Sequence, residues 1–293
     1  MDGGAWLHFF GDDIAYGDAA CFAPWVQTRS FTDASLNGLV DPRKWLDAEW
    51  RDIARSLGVV PTGMRGMHRK GYEWTQAAYG LRVLGALKRG SRSLGVGAGH
   101  EAFAYWLAAE GASVIATDLY ERDWAEEGAH EGDSQVIGHP WRYAPFALPA
   151  VDLEFRRMDG RRLEFDDSSF DTVFSLSSIE HFGTKSDAST SMSEMGRVLR
   201  PGGHAVIATE CVLNGAPHPA YFSPEELAQY VVAPSGLQLV QPVSLCAPRA
   251  FLEFPVKVPE DALRCPHLSL TDGTCIWTSV VLFMVKSASR GVA

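Results

Sequence analysis

The chain is short of positive charge: 26 Lys and Arg stand against 36 Asp and Glu, a formal net charge of −10 over 293 residues. That balance leaves no field to hold a phosphate backbone or an anionic lipid surface, which excludes nucleic acid as a main partner. Cysteine is sparse too. Cys21, Cys211, Cys246, Cys265 and Cys275 are odd in number and scattered, with no C-x-x-C pair and no metal-ligand spacing, so reduced thiols are expected. No stretch approaches the roughly 18 apolar residues of a membrane span. Met1-Asp2-Gly3-Gly4 lacks the positive flank and apolar segment of a signal peptide, and the expectation is a cytoplasmic protein. Internal repeats and low-complexity tracts are absent. With 46% hydrophobic and 21% charged residues, the composition is that of a globular chain with a sizeable core.

What is present centres on Ser93-Leu94-Gly95-Val96-Gly97-Ala98-Gly99-His100-Glu101, an apolar run that breaks into three glycines at alternate positions. Glycine tolerates positive φ and lets a ligand approach the backbone, and the helix after it would offer free N–H groups to a polar or anionic ligand group. Before this stretch, residues 1–68 form an N-terminal extension expected to pack on the main domain. It is aromatic-rich to about residue 40 (Trp6, Phe9, Phe10, Tyr16, Phe22, Trp25, Phe31) and then carries one amphipathic helix from Asp41 to Gly58. A second helix, about Tyr72–Leu87, runs into the glycines.

After the turn, a helix over Glu101–Glu110 and a compact strand, Ser113–Asp118, complete a βαβ unit. Tyr120–Pro149 reads as a long polar and aromatic loop. Further strands are predicted at Leu153–Met158, Phe170–Ser177, His204–Thr209, Leu237–Val243 and Thr278–Lys286, with helices at about Ser189–Leu199 and from the capping box Ser223-Pro224-Glu225-Glu226 to Val231. Strands alternating with helices predict a doubly wound, Rossmann-like α/β sheet. Residues 69–293 would be one domain with an insertion at about 244–277.

In such a sheet, ligands sit beyond the carboxyl ends of the strands where strand order reverses. An acid ending the second strand, Asp118, suits a ribose diol, and one ending the third, Asp159, is placed to accept from an exocyclic amine. The glycines leave two registers open: Gly95-x-Gly97-x-Gly99, or Gly97-x-Gly99-x-x-Ala102, which fits a dinucleotide fingerprint. His130, Glu131, Asp133 and His139 match no fixed metal motif, so no metal is expected. His100 reads as a solvent-facing residue at the helix start.

Six segments together resemble the class I S-adenosylmethionine-dependent methyltransferases, in a type 11-like domain, over about residues 70–286. They are Leu94 to Gly99, Thr117-Asp118-Leu119, Met158-Asp159-Gly160 with Leu163 to Asp171, Ser177-Ser178-Ile179-Glu180-His181-Phe182, Glu194 to Gly203, and Tyr221 to Leu227. The resemblance implies a seven-stranded, mostly parallel sheet with an antiparallel last strand. It implies that Gly95, Gly97 and Gly99 hold the methionine moiety of S-adenosylmethionine and that Asp118 takes the ribose hydroxyls. Leu119 would flank the adenine, Asp159 and Gly160 would meet its polar edge, and Ser175 and Ser177 would line the floor beneath the sulfonium. The chain is further similar to methyltransferases found beside bacterial sugar-transferring enzymes, which suggests a small-molecule acceptor of the saccharide or glycolipid kind, methylated on oxygen.

A hydroxyl acceptor needs its proton removed, which favours a histidine. His181 is the candidate base. Tyr72, Trp74 and His139 are the candidate substrate-side residues. Two rivals stay open at this point, a nicotinamide-dependent oxidoreductase and a non-catalytic cofactor-binding subunit.

Overall fold

The computed structural model describes residues 5–18, 20–22, 35–59, 64–120, 135–148 and 151–288. Trp25, Phe31, His130, Glu131 and Asp133 lie outside the described residues. In chain order the strands are β1 (Asp13–Ala15), β2 (Gly38–Leu39), β3 (Arg92–Val96), β4 (Ser113–Asp118), β5 (Leu153–Arg157), β6 (Phe170–Leu176), β7 (Leu199–Val212), β8 (Gln238–Leu239), β9 (Cys246–Pro248), β10 (Val256–Lys257), β11 (Ser269–Thr271) and β12 (Ile276–Val285). The principal α-helices are α1 (Ala48–Ser56), α2 (Arg69–Val83), α3 (Ala102–Ala109), α4 (Gln135–Gly138) and α5 (Lys185–Val198).

The sheet runs β5-β4-β3-β6-β7-β12, parallel except for β12. This is the Rossmann-like, mostly parallel arrangement with an antiparallel last strand. The chain leaves β3 for β4 and β5, then returns to lay β6 on the other side of β3. Strand order therefore reverses beside β3, and the crevice opens where the glycines stand. Strands β3, β6 and β12 are buried almost throughout, as expected of strands covered on both faces. Neighbouring residues of β12 point to opposite faces. Phe283 packs against Gly80 of α2, where a Cβ would stand 2.1 Å from the ring, while the Met284 sulfur lies 3.9 Å from Ser235 Oγ on the other side.

Local chemistry moves several boundaries. The predicted helix Asp41–Gly58 is two elements, a 3-10 turn Pro42–Leu46 and then α1, because Asp47 stops the first and caps the second by accepting from the Trp50 N–H at 3.0 Å. Helix α5 starts four residues earlier than predicted, at a capping box between Thr184 and Asp187. The box Ser223–Glu226 forms as read, but Leu227–Val232 continues as a π-helix. The predicted strand Leu237–Val243 shrinks to β8, and the predicted His204–Thr209 grows into the 14-residue β7.

Phe10, Tyr16, Phe22, Trp45 and Trp50 share one buried cluster with the sheet residues. β1 pairs with β9 and β2 with β12, so the described N-terminal residues and the segment after Ser244 are stitched to each other and to the sheet edge. All five cysteines are free thiols. Among the described residues no helix is long and apolar enough to cross a membrane.

Candidate functional site

The glycine turn leaves β3 with Gly97 at φ +65° and Gly99 at φ +48°. A side chain at Gly97 would strike Phe182 and Ser178 at 2.7 Å, whereas the space beside Gly99 is open. Three bonds fix the turn to β4 and its exit. Ala98 N–H donates to the Thr117 carbonyl at 3.0 Å, Gly99 N–H to Asp118 Oδ2 at 3.0 Å, and Tyr120 Oη to the Gly99 carbonyl at 2.9 Å. Asp118 Oδ1 also accepts from the Leu119 N–H at 2.7 Å. Burial pushes the Asp118 carboxyl up against those N–H groups, which lower it. A carboxylate offers about four lone-pair sites, so Asp118 retains capacity for a diol. Leu119 beside it is an exposed apolar surface.

His100 differs from its expected solvent-facing role. Its ring lies 5.1 Å from that of Tyr143, which ties the glycine turn to the segment after α4. At the end of β5, Gly160 is buried and a Cβ there would meet Phe182 and Val96 at 2.8 Å. Asp159 stands at the same end, but both its oxygens are taken by Arg161, at 2.6 to 3.1 Å. Arg161 also holds the Asp159 carboxyl below its usual range. An adenine amine would have to share Asp159 with that guanidinium.

The end of β6 carries Ser175, fully buried with its hydroxyl unpartnered, and Ser177 in the left-handed region at φ +51°. A non-glycine residue there stores strain of the kind found at ligand clamps. Ser178 Oγ donates to the Gly97 carbonyl at 2.6 Å, locking this turn to the glycine turn. His181 follows, 40% exposed, its Nε2 4.0 Å from the buried Oε1 of Glu180.

Around this turn lies a buried ionic network that the sequence reading did not predict. Arg69, at the start of α2, bonds Glu210 of β7 and lies 3.2 Å from Glu73. Lys70 Nζ is 3.4 Å from Glu73, 3.6 Å from Glu101 and 3.0 Å from the Leu176 carbonyl. Glu73 bonds Ser279 of β12, and the Thr209 hydroxyl donates to Glu180 Oε2 at 2.7 Å. Burial pushes Glu101 up to about 8 and Glu180 and Glu210 up to about 7. Burial acts on Glu73 in the same direction, but Lys70 and Arg69 outweigh it and hold Glu73 below its usual range.

Of the three substrate-side candidates, Trp74 alone lies near this site, its indole N–H turned to Glu101. Tyr72 is instead a core residue: it is 2% exposed and stacks on Trp45 at 5.6 Å, with Trp50 at 5.8 Å. Arg69 and Glu73, at i and i+4, reach Glu210 and Ser279 while Lys70 reaches the Leu176 carbonyl, and Tyr72, about 100° round the helix from Glu73, turns to Trp45 and Trp50. His139 is exposed and begins the 3-10 turn Pro140–Tyr143, whose Pro140 carbonyl accepts from Tyr105 of α3. It stands by α3 and the β5 edge, across β4 and β3 from His181.

A family model described as a methyltransferase domain matches residues 94–207. Demethylmenaquinone methyltransferase of Clavibacter sepedonicus is 34% identical over 155 residues, which cover 52% of this chain and 53% of that protein. The match thus spans about half the length of that curated relative. Two solved structures are similar at low identity. The arsenic(III) S-adenosylmethionine methyltransferase of Chlamydomonas reinhardtii is 19% identical, with 69% of this chain and 65% of that chain covered at a TM-score of 0.43. The Haemonchus contortus phosphoethanolamine N-methyltransferase 2, in complex with S-adenosylhomocysteine, is 19% identical, with 73% and 53% covered at 0.48. Residues 94–207 thus carry a methyltransferase domain of the S-adenosylmethionine-dependent kind, and S-adenosylmethionine is the cofactor of that domain.

Proposed function

We propose that the chain transfers a methyl group from S-adenosylmethionine to a hydroxyl oxygen of a small acceptor, a saccharide or glycolipid, at the carboxyl ends of β6 and β7. The residues present suit the cofactor. The open side of Gly99 leaves room for a ligand against the backbone, and Asp118 offers a carboxylate to a ribose diol. Gly95, Gly97, Gly99, Asp118, Leu119, Asp159, Gly160, Ser175 and Ser177 would hold it. The cofactor supplies an electrophilic methyl on a positively charged sulfur.

The observation that carries the reading is the position of His181, half-exposed beside the strained Ser177 and backed by buried Glu180. An acceptor hydroxyl hydrogen-bonded to the imidazole loses its proton to it as the oxygen is alkylated. The Glu180 carboxylate then steadies the imidazolium, and the exposed ring returns the proton to solvent. Much of the acceleration comes from holding acceptor and donor in line. The aromatic faces of Tyr221 and Trp277, 4.8 Å apart, support a ring-shaped acceptor.

The test is incubation with methyl-labelled cofactor and a panel of sugars, amines and phenols, followed by mass spectrometry of the product. An O-methyl ether is expected. Label found only on nitrogen or carbon would overturn the oxygen assignment, and label on no member would favour a cofactor-binding subunit without catalysis.

A further inference from the structure

The corner where α2, β7 and the turn after β6 meet holds more carboxyl groups than cations. Arg69 and Lys70 supply two cations, while Glu73, Glu101, Glu180 and Glu210 supply four carboxyl groups. Glu73, Glu180 and Glu210 are 0%, 3% and 2% exposed. A buried carboxylate is tolerated when it is paired, hydrogen-bonded or protonated. Here the pairing is uneven. Arg69 and Lys70 occupy Glu73 and one oxygen of Glu210, and Thr209 occupies one oxygen of Glu180. Glu180 Oε1 and Glu210 Oε2, on two different elements, have no hydrogen-bond partner.

A second observation comes from β12. Ser279, which bonds Glu73, is in register with Glu210, and Trp277 is in register with Val212. Residues two apart on a strand share a face, so Trp277 stands on the face of Glu210 and Ser279, one pleat outward. It is 4% exposed and its indole N–H is unpartnered. Its ring meets Tyr221, which stacks on His218 at 3.9 Å and lies within electrostatic reach of Arg69. Unfilled carboxylate oxygens on Glu180 and Glu210 and, through Tyr221 beside Arg69, an aromatic pair are therefore neighbours at this corner. Ammonium groups are attracted to both carboxylates and aromatic faces.

We propose that the acceptor carries an ammonium group, held between Glu180 and Glu210 against the Tyr221 and Trp277 rings, so that the substrate is an amino-substituted sugar or polyol whose neutral hydroxyl faces His181. This rests on the methyl-transfer reading and narrows its substrate class. In the free protein the raised carboxyls of Glu180 and Glu210 hold protons near neutrality. The ammonium takes their place and protons are released. The groups that face this pair are Arg69, Lys70 and Glu73 from α2, Glu101 before α3, His181 beside Glu180, Thr209 of β7 and Tyr221. As pH rises from 6 to 8 the pair loses its protons unaided, so the ammonium binds more tightly at 8.

The experiment is calorimetry on the full chain saturated with S-adenosylhomocysteine. The probes are two matched pairs, 1-amino-1-deoxy-sorbitol against sorbitol and benzylamine against benzyl alcohol, at pH 6 and 8, where aliphatic ammonium groups stay protonated. In at least one pair the amine is expected to bind about tenfold tighter than its alcohol, about 1.4 kcal/mol. The advantage should be larger at pH 8, and at pH 7 proton release should appear as a heat that depends on the buffer. Glu180→Gln and Glu210→Gln should each remove the advantage while S-adenosylhomocysteine still binds. Equal binding within both pairs, or no binding of either amine, overturns the proposal, as does an advantage that survives both substitutions. Failure of S-adenosylhomocysteine itself to bind would instead overturn the methyl-transfer reading. The wild-type proton release keeps the test decisive if a glutamine variant does not fold.

Discussion

Replacing His181 with alanine is expected to lower kcat by about 10²- to 10⁴-fold, the usual contribution of a positioned general base, while affinity for S-adenosylhomocysteine stays unchanged. The two readouts separate because His181 lies on the turn after β6, whereas the glycine turn and Asp118 belong to β3 and β4. Initial rates with saturating cofactor, set beside calorimetric affinities of the same preparation, check it. Full turnover in the variant would remove His181 as the base and leave positioning alone to account for the rate. A variant that lost cofactor affinity as well would make His181 a packing residue of the turn.

Arg69→Ala should destabilise the fold by about 3–5 kcal/mol, the cost of stranding buried charge when one partner of a buried pair is removed. Arg69 bonds or faces Glu73, Glu210 and Glu180, so its loss leaves carboxyls that cannot reach water. The sign with pH follows. Glu180 and Glu210 sit at about 7 in the folded chain against an ordinary 4.5. The folded state therefore binds more protons than the unfolded state between those values, and the stability these groups contribute is lost as pH rises through that window. Without Arg69 their ionised forms are costlier still. Urea unfolding at pH 5 and pH 8 should show a larger deficit for the variant at pH 8. An equal deficit at both pH values would mean that Arg69 acts through packing instead of charge.

Much of the fold was legible because its strands advertise themselves. Leu94 to Val96, Val114 to Ala116 and Val173 to Leu176 are mostly apolar runs, and they lead into Gly97, Asp118 and Ser177, which mark the ligand side. The edge strands were not legible. β1, β2, β8, β10 and β11 hold two or three residues each, too few for any period, and β1 finds its partner β9 more than two hundred residues away. Arg161 beside Asp159 was in plain view two residues on, yet only geometry shows it bonding both carboxylate oxygens.

The candidate site divides in the same way. The proposed cofactor side is written in consecutive residues, Gly95 to Gly99 and Thr117 to Leu119, since two neighbouring strand ends and their turns build it. The proposed acceptor side is assembled from residues far apart, with Arg69 bonding Glu210 across 141 positions and Glu73 bonding Ser279 across 206. One signal was available: Glu210 is the single acid inside the apolar strand Ala205–Val212, and a lone buried acid requires a partner. Tyr72 misled because helical spacing alone does not tell which face of α2 meets the crevice and which meets Trp45 and Trp50.

In the proposed site the turn after β3 and the acid ending β4 hold S-adenosylmethionine. Calorimetric titration of S-adenosylhomocysteine into the wild-type chain and into Asp118→Ala tests it most directly. One equivalent should bind the wild type, and the variant should bind about 10- to 100-fold more weakly, the loss of charge-assisted hydrogen bonds to a diol. Unchanged affinity in Asp118→Ala, or binding of NADH in place of S-adenosylhomocysteine, would contradict it.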